Sequence, residues 1–125
     1  MSTWNEDELR RVGDARELHI ATRRPDGTMR NPIPIWHVRV GSDIFVRSAH
    51  GPDNGWFRRA KQTGTGRIHS GGVEREVAFE PAPDELANDI TATYHAKYDQ
   101  YGPGPVAAVT GDDVLQTTLR VIPQD

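Results

Sequence analysis

Arginines and tryptophans in the middle of the chain are the residues best suited to holding a charged, flat ligand. A short predicted helix begins near Gly55 and Trp56, so the backbone N–H groups of its first turn have no partner within the helix. Arg58 and Arg59 follow directly. Free N–H groups and the helix dipole both favour negative charge there. The pattern predicts an anion site, and the alternative is that both arginines are simply solvated.

Arg47 is the arginine on which this prediction depends most. It follows the apolar residues 44–46 and precedes Ser48 at the end of a predicted strand. An unpaired charge in an apolar strand is costly, so we expect either a carboxylate partner or a bound anion. Arg47 and the Ser48 hydroxyl could converge on one phosphate. Trp36 and Trp56 either offer aromatic faces to a flat ring or belong to the core.

Charge and composition narrow the classes of function. The 125 residues include 15 Lys and Arg against 18 Asp and Glu, a net charge of −3. The net charge is −2 over residues 1–22, +6 over residues 23–75 and −7 over residues 76–125. A basic middle in an acidic protein indicates a local anionic ligand rather than a nucleic-acid-coated surface.

The absence of cysteine excludes disulfides and thiolate chemistry. Without an apolar run of membrane length or a signal peptide, we expect a cytoplasmic protein with no membrane partner.

The histidines give a weaker signal. His19, His37 and His69 fall on predicted strands, and closure of a barrel could bring two of them together. No carboxylate has the spacing to complete a metal site, so we predict no metal and structural or surface roles for these three. His50 lies in a glycine-rich loop beside the predicted anion site, where it either contacts the ligand or is an ordinary loop residue.

Hydrophobic periodicity, caps and turn signals predict the elements that must position these residues. The first element is a helix capped by Thr3, with Glu6 in capping-box register, and ended by Gly13. Strands follow over 18–22, 29–40 and 43–48, and then a short helix near 55–63 capped by Asp53 or Asn54. The last elements are a hairpin over 67–70 and 73–79, a helix over 84–101 capped by Asp84, and a strand over 115–122. Pro32 and Pro34 remove two ladder donors, so the first half of the second strand should lie at an edge or bulge. The Gly-Pro run at 102–105 breaks the long helix.

Antiparallel hairpins flanked by helices favour a small barrel or curled sheet over a doubly wound α/β fold. We predict one α+β domain over residues 1–125 with about six antiparallel strands. Its helices are the N-terminal one, the short one near 55–63 and the longer one near 84–101.

Three stretches occur in an order typical of one superfamily: Gly27–Trp36, Gly41–Ser48 and Asn54–Ala60. They resemble the FMN-binding split β-barrels, which include pyridoxamine-phosphate-oxidase-like proteins and deazaflavin-dependent nitroreductases. The nitroreductase-like pattern is the most similar: a strand with Gly, Arg and Pro, a hairpin strand ending in Ser, a glycine-rich loop, then Trp and a second aromatic residue before a short helix. The hairpin over 67–79 matches the strand pair that follows, so the resemblance covers roughly residues 17–80.

The resemblance implies a split β-barrel that binds FMN or a deazaflavin. It implies cofactor contacts on the phosphate and ring-edge side from Arg30, Arg47, Ser48, Trp56, Arg58 and Arg59, and contacts with the ring itself from Ile35 and Trp36. Their positions in the loop and at the helix start add His50 and Gly55 to the predicted cofactor site. In such enzymes the ring performs the redox chemistry and the protein supplies position and electrostatics, so we assign the role of catalytic acid or base to no residue. The basic Gly-Arg-Lys-Ser-Gly-type segment of the nitroreductases is absent, and Arg23–Gly27 stands in its place.

Three functions follow from these patterns. The leading hypothesis is a flavin- or deazaflavin-nucleotide-binding oxidoreductase, with a nucleotide-type anionic small molecule as partner and a homodimer as the assembly. The alternative is a cofactor-free split barrel that self-associates as a binding or structural module; its arginines would then be paired with carboxylates. Single-stranded nucleic-acid binding suits the basic and aromatic residues, but the net charge and the acidic C-terminal segment oppose it.

Overall fold

The computed structural model describes residues 3–49 and 51–124, and within them the chain forms seven strands and four α-helices. The strands are β1 (Leu18–Thr22), β2 (Ile33–Ile35), β3 (His37–Val40), β4 (Asp43–Val46), β5 (Thr65–Ser70), β6 (Val73–Pro81) and β7 (Leu119–Pro123). The helices are α1 (Glu6–Asp14), α2 (Gly55–Thr63), α3 (Ala87–Tyr98) and α4 (Pro103–Thr110). Three 3₁₀ turns cover Asp84–Leu86, Asp99–Tyr101 and Asp112–Thr117.

The strands form one antiparallel sheet in the order β2-β1-β5-β6-β7-β4-β3, curled into a nearly closed barrel. The predicted α+β antiparallel barrel is confirmed, with seven strands rather than about six. The predicted hairpins β3–β4 and β5–β6 are also present. Because four of the six strand pairs join consecutive strands, turn and periodicity signals were enough to identify the class.

The predicted strand over 29–40 is two strands with different partners. Leu18 pairs with Ile35 in β2, whereas His37 in β3 pairs with Val46, so β2 and β3 lie at opposite ends of the sheet order. Trp36 is the break between them. The edge position predicted from the prolines is confirmed, because β2 pairs only with β1 among the strands of the described chain. A periodic pattern cannot show this division, since both halves alternate in the same way.

The N-terminal helix begins two residues later than predicted. Asn5 and Glu8 form the capping box in place of Thr3 and Glu6: the Glu8 N–H donates to Asn5 Oδ1 at 2.8 Å, and the Asn5 N–H donates to Glu8 Oε1 at 3.1 Å. Asn caps a helix at least as well as Thr, so both registers satisfied the sequence rule. The helix also runs through Gly13 to Asp14.

The C-terminal third differs most from the prediction. The long helix consists of a 3₁₀ turn, α3 and a second 3₁₀ turn, and the Asp84 side chain makes no capping hydrogen bond. The Gly-Pro run at 102–105 ends this helix but also begins α4, because proline is well suited to the first turn of a helix. The last strand begins at Leu119 rather than residue 115, because a 3₁₀ turn occupies 112–117.

Two apolar clusters form the core. The interior of the barrel is filled by residues of every strand except β3, together with α1 and α2, including Leu18, Ile20, Ile44, Ile68, Val77 and Val121. A second cluster lies between the outer side of β3–β4 and the helices α3 and α4. There Ile90, Tyr94 and Tyr98 are buried, as their helical spacing predicts. Among the described residues, no helix combines the length and apolar character needed to cross a membrane.

Candidate functional site

A cleft of about 350 Å³ lies between β2, the start of α2 and α4. Its walls are Glu17, Ile33, Pro34, Ile35, Trp36, Arg47, Ala49, Asn54, Trp56, Pro105, Ala108 and Val109. Most of these side chains are apolar, and only Glu17, Arg47 and Asn54 bring polar or charged groups. A largely apolar cleft of this size with a few polar groups is typical of a small-molecule site.

Both tryptophans are shared between the cleft and the core. Trp36 is half-buried and stacks on Tyr98, with ring centroids 4.1 Å apart and planes 10° apart. Trp56 is 3% exposed and makes an edge contact with Phe57, with ring centroids 6.0 Å apart. The two alternatives considered for these residues are therefore compatible, because each indole packs against the core and still forms part of the cleft wall.

Arg47 extends from the end of β4 and is 1% exposed. Its guanidinium donates to the hydroxyls of Thr118 (2.9 Å) and Thr91 (2.8 Å) and to the carbonyls of Val109 (3.0 Å) and Ala87 (3.1 Å). Of the two partners expected for Arg47, a carboxylate is not found: no salt bridge within residues 3–49 and 51–124 includes it. Burial lowers the pKa of the guanidinium.

Ser48 does not join Arg47 at the cleft. Its hydroxyl donates to the Gly51 carbonyl at 2.6 Å, and its backbone N–H donates to Thr117 Oγ1 at 3.0 Å. These bonds hold the loop after β4 against the 3₁₀ turn that precedes β7. His50, also expected at the site, lies outside the described residues.

The start of α2 borders the cleft and has no side-chain cap. Asn54 is the N-cap residue, as predicted, but its side chain makes no capping hydrogen bond, and the first turn contains no acidic residue. Within residues 3–49 and 51–124, the N–H groups of Gly55 and Trp56 are therefore left without a side-chain acceptor, and no acidic side chain of the first turn compensates the positive end of the helix dipole. A Cβ on Gly55 would lie 2.9 Å from Nη1 of Arg59, so the glycine makes room for that guanidinium.

Three arginines gather beside this helix start. Arg59 Nε donates to Thr22 Oγ1 at 3.1 Å, and the Arg30 backbone N–H donates to the Thr22 carbonyl at 2.8 Å. The pKa of Arg59 is lowered by partial burial and then by the positive charges of Arg30 and Arg58. The buried Nε of Arg30 has no hydrogen-bond partner among the residues that the structure describes. None of the three forms a salt bridge in the described part of the chain.

Other arginines of the basic segment are neutralised on the protein surface. Arg23 and Arg67 each pair with Glu76 at 3.2 Å. Arg75 pairs with Glu8 at 2.9 Å. Six cations of residues 23–75 have no carboxylate partner in the described chain: four are Arg47 and the cluster Arg30, Arg58 and Arg59, and the other two are Arg24 and Lys61.

The structure brings together only part of the predicted site. Ile35, Trp36, Arg47 and Trp56 line the cleft, and Gly55 lies at its border between two lining residues. Arg30, Arg58 and Arg59 do not line it but lie near the border, and Ser48 is turned away. Sequence reasoning missed the wall formed by Pro105, Ala108 and Val109, because α4 was not predicted; proline following glycine at 102–103 was the available signal.

The histidines form no metal centre among the residues described. His19 and His69 oppose each other on β1 and β5 with ring centroids 6.4 Å apart, but no group of three His, Cys, Asp or Glu side chains is arranged around a common point in 3–49 and 51–124. His37 is fully buried, and its Nε2 contacts the Val12 carbonyl. Burial, followed by the charge of Lys97, lowers its pKa to about 3, so it ties α1 to β3 as a neutral side chain.

The fold resembles solved structures at low sequence identity. An F420 reductase aligns with a TM-score of 0.66 and 19% identity, over 98% of this chain and 97% of the other. An F420-H2 dependent reductase (FDR-A) aligns with a TM-score of 0.62 and 13% identity, over 86% and 93%. A putative pyridoxamine 5′-phosphate oxidase from Listeria innocua aligns with a TM-score of 0.66 and 9% identity, over 96% and 93%. No curated protein matches the sequence.

These likenesses confirm the predicted fold, that of the FMN-binding split β-barrels. A family model described as an uncharacterised protein conserved in bacteria, DUF2255, matches residues 8–121. The chain therefore belongs to the DUF2255 family, and its architecture is the split β-barrel.

Proposed function

We propose that this protein is an oxidoreductase that binds a flavin or deazaflavin nucleotide, with the ring in the cleft and the phosphate at the start of α2. One observation carries the proposal. The uncapped start of α2 adjoins an aromatic cleft, and beside it lie Arg30, Arg58 and Arg59, none of which pairs with a carboxylate of the described residues. An apolar slot joined to an anion site is the arrangement that a ring with a phosphorylated side chain requires.

The cleft has walls suited to a flat ring. Trp36 and Trp56 supply aromatic surface, and Ile35 and Val109 supply aliphatic surface. The stack on Tyr98 fixes the plane of the Trp36 indole, so little side-chain entropy is lost when a ring packs against it. A bound ring would supply the redox chemistry, while these residues would orient it and exclude water.

The arginine cluster is suited to a phosphate. In the described chain its positive charges face one another without carboxylates, which raises the energy of the ligand-free protein. A phosphate would relieve that repulsion, accept from the unpaired Arg30 Nε and receive N–H groups from the first turn of α2. The same features oppose one form of the cofactor-free alternative, in which these arginines pair with Glu74, Glu76 and Glu80 of the same chain; in its other form they face the acidic helix of a partner.

The proposal includes FMN and deazaflavin nucleotides alike, because both combine a flat ring with a phosphorylated chain. Two of the solved structures similar to this fold are described as F420 reductases, which supports the deazaflavin without deciding between the two. We further propose that the protein acts in the cytoplasm as a homodimer. Its low hydrophobic content, 35%, supports an assembly in which a second copy covers apolar surface.

Ligand titration tests the proposal directly. The purified protein is titrated with FMN and with a phosphorylated 8-hydroxy-5-deazaflavin, and tryptophan quenching and ligand absorbance are followed. We expect at least one of them to bind with a Kd below about 100 μM, a binding free energy of roughly −5.5 kcal/mol. Inorganic phosphate should compete with the nucleotide. Failure of both ligands to bind below that concentration would refute the proposal and favour the cofactor-free module.

A further inference from the structure

Arg47 is a fully buried cation in the cleft wall without a counter-ion in the described protein. Removing a guanidinium from water costs several kcal/mol, and a chain normally offsets this with a carboxylate. Here the four acceptors of its hydrogen bonds are two hydroxyls and two carbonyls. These dipoles stabilise the charge locally, but they cannot cancel it.

The groups around Arg47 leave that charge uncompensated. Tyr94 lies under the guanidinium, with the ring centroid 5.5 Å from Cζ, and burial raises the pKa of its hydroxyl, so it stays neutral. Thr91 and Ala87 contribute neutral oxygens from α3, Val109 does so from α4, and Thr118 does so just before β7.

Glu17 is the single carboxylate in the cleft wall among the residues described. It is partly exposed, so water and salt screen its charge, whereas a charge that is 1% exposed is screened far less. Arg30, Arg58 and Arg59 lie toward the α2 end and add to the positive potential. Among the described residues, the charged side chains that line or border the cleft are therefore mostly positive, and the least screened of them is Arg47.

We propose that Arg47 makes the cleft selective for a ring system that carries a negative charge. Arg47 is then a specificity residue for the ring and not a phosphate ligand, which is a different role from the one its sequence position implied. This inference rests on the proposed function, because it requires that a flat ring enters the cleft. The ligand class that the cleft prefers is an anionic heteroaromatic, such as a ring phenolate, which binds more tightly than its neutral form.

All four bonds of Arg47 support this role over phosphate binding. They fix the guanidinium to α3, α4 and the residue before β7, so Arg47 cannot swing toward the arginine cluster without giving up those partners. A fixed, preorganised charge acts on a ligand without the cost of reorganising the site when the ligand arrives.

Two phosphate-free probes isolate the ring from the arginine cluster. One is 5-deazariboflavin, whose ring is neutral, and the other is 8-hydroxy-5-deazariboflavin, whose ring hydroxyl can ionise and changes its visible absorbance when it does. The absorbance of each probe is titrated with pH, free and in the presence of saturating native protein. We expect the pKa of the bound hydroxyl to fall by about one unit or more, equivalent to roughly tenfold tighter binding of the phenolate.

The outcomes separate the two proposals. If the hydroxy probe binds with an unchanged or raised pKa, the inference about Arg47 is wrong and the proposed function stands. If neither phosphate-free probe binds the native protein at millimolar concentration while FMN or the phosphorylated deazaflavin binds below about 100 μM, the inference about Arg47 is wrong and the proposed function stands; if the phosphorylated ligands do not bind either, both fail.

Variants assign the effect to the residue. Arg47→Gln should abolish the pKa shift of the bound probe, and Arg47→Lys should retain part of it. Arg67→Gln is the matched control, because it removes an arginine that is paired with Glu76 on the surface and should leave the shift intact. A full shift in a folded Arg47→Gln protein would overturn the inference. If Arg47→Gln does not fold, the native protein with the two probes still decides the question.

Discussion

Replacement of Arg59 by glutamine tests whether the start of α2 holds a phosphate. FMN and riboflavin carry the same ring and differ by the phosphate, so the ratio of their dissociation constants isolates the phosphate contribution. Arg59 lies at the centre of the site: Nη1 is next to Gly55, and Nε reaches Thr22. The expected effect is a loss of FMN affinity with riboflavin affinity unchanged.

The magnitude follows from the contacts. A charge-assisted hydrogen bond contributes about 1.5–3 kcal/mol, so FMN should bind roughly 10- to 150-fold more weakly. In the free protein the substitution removes the 3.1 Å bond to Thr22, a loss of about 0.5–1.5 kcal/mol, but it also relieves the repulsion from Arg30 and Arg58. The free energy of unfolding should therefore change by less than about 1 kcal/mol, which keeps the variant usable.

The assay is fluorescence titration of native protein, Arg59→Gln and Lys61→Gln with both ligands at two salt concentrations. Lys61 is the matched control, since it is an exposed cation on the same helix that lies a half-turn further from the site. Salt should weaken FMN binding to the native protein more than to Arg59→Gln, because the variant presents less charge to the phosphate. Equal losses for FMN and riboflavin in Arg59→Gln, or the same loss in Lys61→Gln, would refute a phosphate site at α2.

Three further predictions address the cleft and the core. Arg47→Met should lower the free energy of unfolding by about 2–4 kcal/mol in urea titrations, because four buried oxygens lose their donor. A change below about 1 kcal/mol would show that the hydrogen bonds of Arg47 do not join α3 and α4. Trp36→Ala should weaken riboflavin and FMN equally, by roughly 3- to 10-fold, because it removes ring contact and not phosphate contact; an effect confined to FMN would contradict this. The pKa of His37 is about 3 in the folded protein, against an ordinary value of 6.5. Between these pH values the unfolded chain binds one more proton at this residue than the folded protein does. The contribution of neutral His37 to the free energy of unfolding is therefore present above pH 6.5 and is lost as the pH falls toward 3. Between pH 7 and pH 4 the free energy of unfolding of His37→Gln should therefore fall by roughly 3 kcal/mol less than that of the native protein, as measured by urea unfolding. Parallel curves for the two proteins would contradict a buried neutral histidine.

Local signals predicted most of the barrel correctly. The hairpin β5–β6 follows from alternation around Gly71 and Gly72, and the packing stripe of α3 follows from Ile90, Tyr94 and Tyr98 at helical spacing. Errors arose where two local solutions were equally good. Asn5 and Thr3 are both good caps, and the Gly-Pro run both ends one helix and begins another.

The site was only partly predictable, because its residues depend on long-range contacts. The sequence identified Trp36, Trp56 and Arg47 as candidates, and all three line the cleft. It paired Arg47 with Ser48 because they are adjacent, yet consecutive residues of an extended chain point in opposite directions, and they bond to different neighbours.

The sequence by itself determined the element types, the fold class and the position of the excess positive charge, because these depend on periodicity, caps and composition within short windows. Only the tertiary structure decided which of those charges are available to a ligand. Arg23 and Arg75 pair with carboxylates far along the chain, and Arg67 pairs with Glu76 across the β5–β6 hairpin. Arg47 bonds to neutral oxygens on three distant segments, and the cluster beside α2 has no carboxylate partner among the described residues. The pairing of a charge depends on which segments the barrel brings within about 4 Å, and that distance is set when the sheet closes.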